Sequence, residues 1–172
     1  EYEEEIIVES EDSIEQVIQS LLSERGETVA TAESCTGGNI ASTITNASGS
    51  SAVFRQGYVT YANEAKIELL GVSGDTLEAH GAVSEPVVRE MAEGCLRVSG
   101  ADHAIAVSGI AGPTGGTEEK PVGTVYIAIA SRDAETFAKR HFSPSDRVSF
   151  KMRVTRLALD LLRRRLRGFS LD

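Results

Sequence analysis

Cysteine, histidine and long apolar runs are all scarce in this chain, and each shortage narrows what it can be. Cys35 and Cys95 are the only cysteines among 172 residues, and neither belongs to a CxxC or Cys/His pattern. That excludes a disulfide framework and a structural zinc site, and it fits a reducing cytoplasm. The longest apolar stretches, such as VYIAIA, fall far short of the roughly 20 residues a membrane helix needs, and no signal peptide opens the chain. A soluble cytoplasmic protein with no membrane partner is expected. The three histidines, His80, His103 and His141, lie outside the glycine-rich segments, which makes a Ser-His-Asp site the less attractive option. GxSxG, HExxH, Walker and SxxK patterns are all missing.

What is present supports one domain. The length and a hydrophobic content of 41% suffice for a single substantial core. The net charge of −9 is concentrated at the start, where residues 1–15 hold eight acids and no base. Residues 1–12 therefore read as an acidic tail or linker, and 13–172 as the folded unit. The chain does not open with Met, from which a longer native protein is expected.

Apolar periodicity and caps divide the folded part. Ser13 opens a capping box, and Ile14, Val17, Ile18, Leu21 and Leu22 recur at helical spacing until Gly26. Residues 28–33 read as a strand, 38–46 as a short helix, 57–61 as a second strand, and 63–70 as a helix with Asn63 as its N-cap. A helix from Ser84 to about Ser99 precedes a strand over 102–108. Residues 109–121, rich in Gly and Pro, form a loop. Residues 123–130 suit a strand buried on both faces, 135–142 an edge strand, and 146–167 a long helix whose core stripe is Val148, Met152, Thr155, Leu159, Leu162 and Leu166. The sum is an α/β layered domain around a mostly parallel sheet of five strands, with the last two strands close enough to be a hairpin.

Three segments carry candidate chemistry. In AESCTGG a strand stops at Ser34, and Gly37 and Gly38 open a helix whose N–H groups could hold an oxyanion or a phosphate. The same glycines also suit a plain tight turn. Serine is a weak nucleophile and needs a base; Lys66 in TYANEAK is the leading candidate, with Tyr61 placed to relay a proton or orient it. The bland alternative makes Ser34 an N-cap, Lys66 a solvated helix lysine and Tyr61 packing. Cys35 is a rival nucleophile, intrinsically stronger but with no histidine linked to it. SGIAGPTGG, starting at Ser108 and Gly109, follows a strand, where open α/β sheets bind ligands. Arg147 stands at a helix start, where the dipole disfavours a cation, and is the best side chain for an anionic substrate. The basic cluster ending the last helix suits the dipole without any partner, and with no aromatic stacking motif beside it nucleic acid is not expected.

Read together, AESCTGG, GSSAVF, GYVTYANEAK, HGAVSEPVV, SGIAGPTGG with EEKPVGTVY, and the DR before the last helix resemble, in order over residues 13–167, the C-terminal domain of the competence-damage-inducible CinA family, which also occurs alone as nicotinamide-nucleotide amidase. The resemblance implies a three-layer α/β/α domain with a mixed, mostly parallel five-stranded sheet, and hydrolysis of nicotinamide mononucleotide to nicotinic acid mononucleotide and ammonia, without metal or cofactor, by a protein that forms homo-oligomers. It makes Ser34 the nucleophile, Lys66 its base and Tyr61 a member of the proton network. Thr36, Gly37 and Gly38 would stabilise the oxyanion, and Ser108, Gly109 and Arg147 would contact substrate. Ala62, Ser145 and Lys151 depart from residues common in the family. The opening SEDSIEQVIQSLL resembles the junction to a preceding domain in longer members. A catalytically silent nucleotide-binding module of a larger protein is the alternative function.

Overall fold

The computed structural model describes residues 12–172, so the expected acidic tail lies, apart from Asp12, outside the described residues. Six helices surround one sheet: α1 (Ile14–Arg25), β1 (Val29–Glu33), α2 (Asn39–Thr45), β2 (Phe54–Val59), α3 (Asn63–Leu70), α4 (Gly74–His80), α5 (Glu85–Ser99), β3 (His103–Gly109), β4 (Thr124–Ser131), β5 (Ala134–Phe142) and α6 (Arg147–Arg167). The strand order is β2-β1-β3-β4-β5. β1 pairs in parallel with both β2 and β3, while β4 is antiparallel to β3 and to β5. Four strands therefore run one way and only β4 is reversed.

Alternation along the strands builds the layers. Val29, Ile105, Val107, Val125, Ile127 and Ile129 face α1, α2 and α6, whereas Ala30, Ala32, Ala104, Ala106, Ala128 and Ala130 face the other side. An alanine surface lets α5 lie close, with Val87, Val88, Met91 and Cys95 fully buried on it. Removing these side chains from water is the main stabilising term.

Several sequence expectations shift. Val148 and Met152 of the proposed core stripe are 68% and 61% exposed, and Phe150 and Val154 are buried instead. Both exposed residues lie in the first two turns of α6, where Phe150 takes the buried face. Ala62, not Asn63, occupies the N-cap position of α3. β2 begins at Phe54 because Phe54 pairs with Val29; its polar FRQ start belongs to an exposed edge strand. α4 escapes sequence reading because Leu77 is its only buried residue, although Ser73 caps it by accepting from the Thr76 N–H. Within the basic end of α6, Arg163 is fully buried, its Nε donating to Asp160 Oδ1 at 2.8 Å, so the dipole does not account for it.

One helix contact has no slack. A Cβ on Gly94 of α5 would lie 2.0 Å from the Leu70 carbonyl oxygen at the end of α3. Gly94→Ala should therefore cost about 3 kcal/mol through overpacking, read as a lowered denaturant midpoint at unchanged slope.

Candidate active site

Ser34 follows directly from β1. Its N–H donates to the Val107 carbonyl of β3, and the Thr60 N–H donates to the Glu33 carbonyl, so the ladder carries Ser34 alongside the end of β2. The turn after Ser34 is folded around a carboxylate. Glu33 is fully buried; its Oε2 accepts from Thr36 Oγ1 at 2.6 Å and from the N–H groups of Gly38 and Ile40 at 3.0 Å each, and its Oε1 accepts from the Ala41 N–H at 2.8 Å. Gly37 and Gly38 have φ of +62° and +101°, which side chains disfavour. This changes the expected oxyanion donors. The Gly38 N–H is committed to Glu33 and the Gly37 N–H to the Ser34 carbonyl, leaving the N–H groups of Cys35 and Thr36, whose partner is the weakly accepting Cys35 sulfur and not an oxygen.

Lys66 reaches the same point from the first turns of α3. Its side chain is buried, with Nζ 2.8 Å from the Thr60 carbonyl, 3.3 Å from the Tyr61 carbonyl and 3.4 Å from Ser34 Oγ. Burial holds its pKa below the ordinary 10.5. A neutral amine has two N–H bonds for the two carbonyls, and its lone pair then points at the Ser34 hydroxyl.

The remaining expected residues divide. The Tyr61 ring is 60% exposed, and its hydroxyl accepts from Arg147 Nη2 at 3.0 Å; only its backbone carbonyl meets Lys66. Arg147 Nη1 donates to the Gly112 carbonyl at 2.8 Å, so Tyr61 and Arg147 join the site to the loop of residues 110–123. That loop is also tied down by Lys120 Nζ on the His80 carbonyl and by Arg140 on the Glu119 carbonyl, which makes it a fixed wall. Ser108 is buried and donates to the Ala82 carbonyl at 2.7 Å. A Cβ on Gly109 would come within 2.9 Å of Thr124 and Val125. Both residues hold the wall in place.

Lys151 stood out in the sequence only as a departure from a residue common in the family. It lies one turn after Arg147 on α6, and a Cβ on Gly37 would be 3.5 Å from its Nζ. No hydrogen bond or carboxylate within 4 Å engages that ammonium. The i, i+4 spacing from Arg147 was the available signal. A cavity of about 720 Å³ opens elsewhere, between the starts of α1 and α2 and the first half of α6, lined by Ser13, Asn39 and Met152. It holds no nucleophile paired with a base, so the chemistry points to the Ser34 cleft. Among the described residues, no group of three or more His, Cys, Asp or Glu is placed to hold a metal ion, and no helix is long and apolar enough to cross a membrane.

Cys35 is 5% exposed, and burial pushes its thiol up to about 12. At neutral pH it stays protonated, which removes it as the rival nucleophile. Cys35→Ala should keep more than about half of the hydrolytic rate, since a thiol in this state supplies no thiolate; ammonia release under saturating substrate checks it.

Comparison with known proteins places the chain. The Escherichia coli nicotinamide-nucleotide amidohydrolase PncC is 54% identical over 148 residues, covering 86% of this chain and 89% of that protein. A CinA-like protein of Chloroherpeton thalassium is also 54% identical, over 153 residues, but the chain spans only 36% of its length. The crystal structure of competence damage-inducible protein A from Klebsiella pneumoniae superposes with a TM-score of 0.86 at 39% identity, covering 92% of this chain and all of that one. The family model for the CinA C-terminal domain matches residues 11–166, and the chain belongs to that family.

Proposed function

We propose that the chain, through residues 13–172, hydrolyses the carboxamide of nicotinamide mononucleotide to nicotinic acid mononucleotide and ammonia. The observation that carries this is the buried Lys66 Nζ beside Ser34 Oγ, held there by the Thr60 and Tyr61 carbonyls. The name of the Escherichia coli relative supports the substrate.

Lys66 Nζ takes the Ser34 proton as Oγ attacks the amide carbon. The oxyanion is held by the N–H groups of Cys35 and Thr36. Collapse passes the proton from Lys66 to the leaving nitrogen, and ammonia departs. Water then adds to the acyl-serine, Lys66 again accepting the proton, and nicotinic acid mononucleotide leaves. The 3.4 Å separation in the free protein tightens when substrate closes the site. Arg147 and Lys151 bind the 5′-phosphate, and Tyr61 orients Arg147.

Incubating the chain with nicotinamide mononucleotide should give saturable ammonia release. Binding without ammonia would instead identify a silent nucleotide-binding module. Lys151→Ala should raise KM for the mononucleotide by about 10–100-fold, the worth of one charge-assisted hydrogen bond, and leave hydrolysis of nicotinamide riboside unchanged. Equal effects on both substrates would remove Lys151 from the phosphate.

A further inference from the structure

A second nucleophilic arrangement lies at the opposite end of the sheet, about 16 Å along the strands from Ser34. Register creates it: His103 opens β3 directly opposite Ser131, the last residue of β4, and also pairs with Val29, two residues after Glu27. Ser131 Oγ lies 2.9 Å from His103 Nδ1, and His103 Nε2 lies 2.8 Å from Glu27 Oε2. The same Glu27 oxygen accepts from Arg25 Nε at 2.7 Å. Burial pushes the Glu27 carboxyl up, but hydrogen bonds from Arg25 and His103 outweigh it and hold Glu27 below its ordinary range. An ionised carboxylate only accepts, so in the neutral ring Nε2 carries the proton. Nδ1 is then the acceptor for the Ser131 hydroxyl.

Ser131 and His103 are 9% and 6% exposed, and both line a cavity of about 220 Å³. Arg165 lines it too; one of its Nη atoms donates to the Glu135 carbonyl at 3.2 Å, while its buried Nε–H has no partner. A nucleophile, a base with a fixed tautomer and a carboxylate that orients the base therefore border one small space, with Arg165 in its wall. These are the parts that acyl transfer by a serine needs.

We propose that Ser131, His103 and Glu27 form a second hydrolytic site, distinct from the Ser34 cleft, for esters of short-chain carboxylic acids. Ser131 Oγ attacks the ester carbonyl carbon and His103 Nδ1 takes its proton. The Arg165 guanidinium in the cavity wall supplies positive charge near the oxyanion. The C–O bond to the alcohol breaks, and His103 returns the proton to the departing oxygen. Water then attacks the acyl-serine with His103 as base, releasing the acid and restoring Ser131. The net reaction is ester plus water to acid plus alcohol. The cavity is smaller than the pockets that hold drug-sized ligands, which limits the acyl group to a few carbons. Glu27 is a positioning residue; it acts on His103 alone.

The test uses the Ser34→Ala protein, so that the other serine is silent, with p-nitrophenyl acetate as substrate and a fluorophosphonate as covalent probe. Saturable p-nitrophenolate release and a single fluorophosphonate adduct, mapped to Ser131 by peptide mass spectrometry, are expected. Ser131→Ala added to this background should abolish the adduct and lower kcat/KM at least tenfold. Glu27→Gln should slow labelling of Ser131 while leaving it the labelled residue. Ser131→Ala alone should leave ammonia release from nicotinamide mononucleotide unchanged. Absence of Ser131-dependent hydrolysis, or of the adduct, in protein whose circular dichroism is native would overturn the proposal. A lowered melting temperature as the only consequence of Ser131→Ala would overturn it equally, because His103 would then be a structural bridge.

Discussion

Lys66→Met should lower kcat for ammonia release by about 10²–10⁴-fold, the usual contribution of a positioned general base, and Ser34→Ala should remove turnover. Lys66→Arg should not rescue, because a guanidinium stays protonated and has no lone pair to offer. The pH profile follows from the same burial. Desolvation lowers the Lys66 pKa, so kcat/KM should rise with pH along a limb whose midpoint lies below 10.5, and Lys66→Met should lose that limb. Stability carries the matching signature. The unfolded chain holds the Lys66 proton more tightly than the folded one, so stability rises with pH from the depressed folded value up to 10.5 and is level above it. The parent should therefore gain melting temperature relative to Lys66→Met as pH climbs through that window. A constant difference would mean that Lys66 is an ordinary charged lysine and that another group is the base.

Glu33 is the second position of large effect, although it touches no substrate. Glu33→Gln keeps one oxygen for Thr36, Gly38 and Ile40 but turns an NH₂ toward the Ala41 N–H, orphaning one buried donor at a cost of about 1–3 kcal/mol. Glu33→Ala orphans all four donors and should lose several times as much. The turn that aims Ser34 and the Cys35 and Thr36 N–H groups then loosens, so kcat should fall about 100-fold even in Glu33→Gln, as expected for a loss of about 1 Å of positioning. Ammonia release measured well below the melting temperature checks this. Full activity in a destabilised Glu33→Gln would show that the turn holds its shape without the carboxylate.

How much of this could be read in advance differs by kind. The order of elements was legible because it rests on local signals: caps, glycines and strand-like runs. The three layers and the roles of Ser34 and Lys66 came with the family resemblance, since residue type alone left an N-cap and a solvated helix lysine open. Glu33 was not legible, since a charged residue closing a strand looks solvent-facing until the following turn is seen to wrap it. Val148 and Met152 fit the helical period of α6, but periodicity cannot tell that Phe150 and Val154 take the buried face there. Lys151 stood out only as a departure from the family until its Nζ was found near Gly37. Tyr61 was assigned through its phenol, whereas its backbone carbonyl is the group at Lys66, a distinction side-chain chemistry does not make. Glu27, His103 and Ser131 meet only through register, and nothing local to any of them announces the others.

The contact at Gly94 has a consequence far from itself. Leu70 and Lys66 stand one turn apart on the same face of α3, and a short helix moves as a rigid rod. Pushing its end outward by even 1 Å would drag the amine off the hydroxyl, from a separation already at 3.4 Å to beyond proton-transfer reach. A single methyl group on the back of the molecule would thus act as a wedge, silencing the reaction while every group that performs it remained chemically intact.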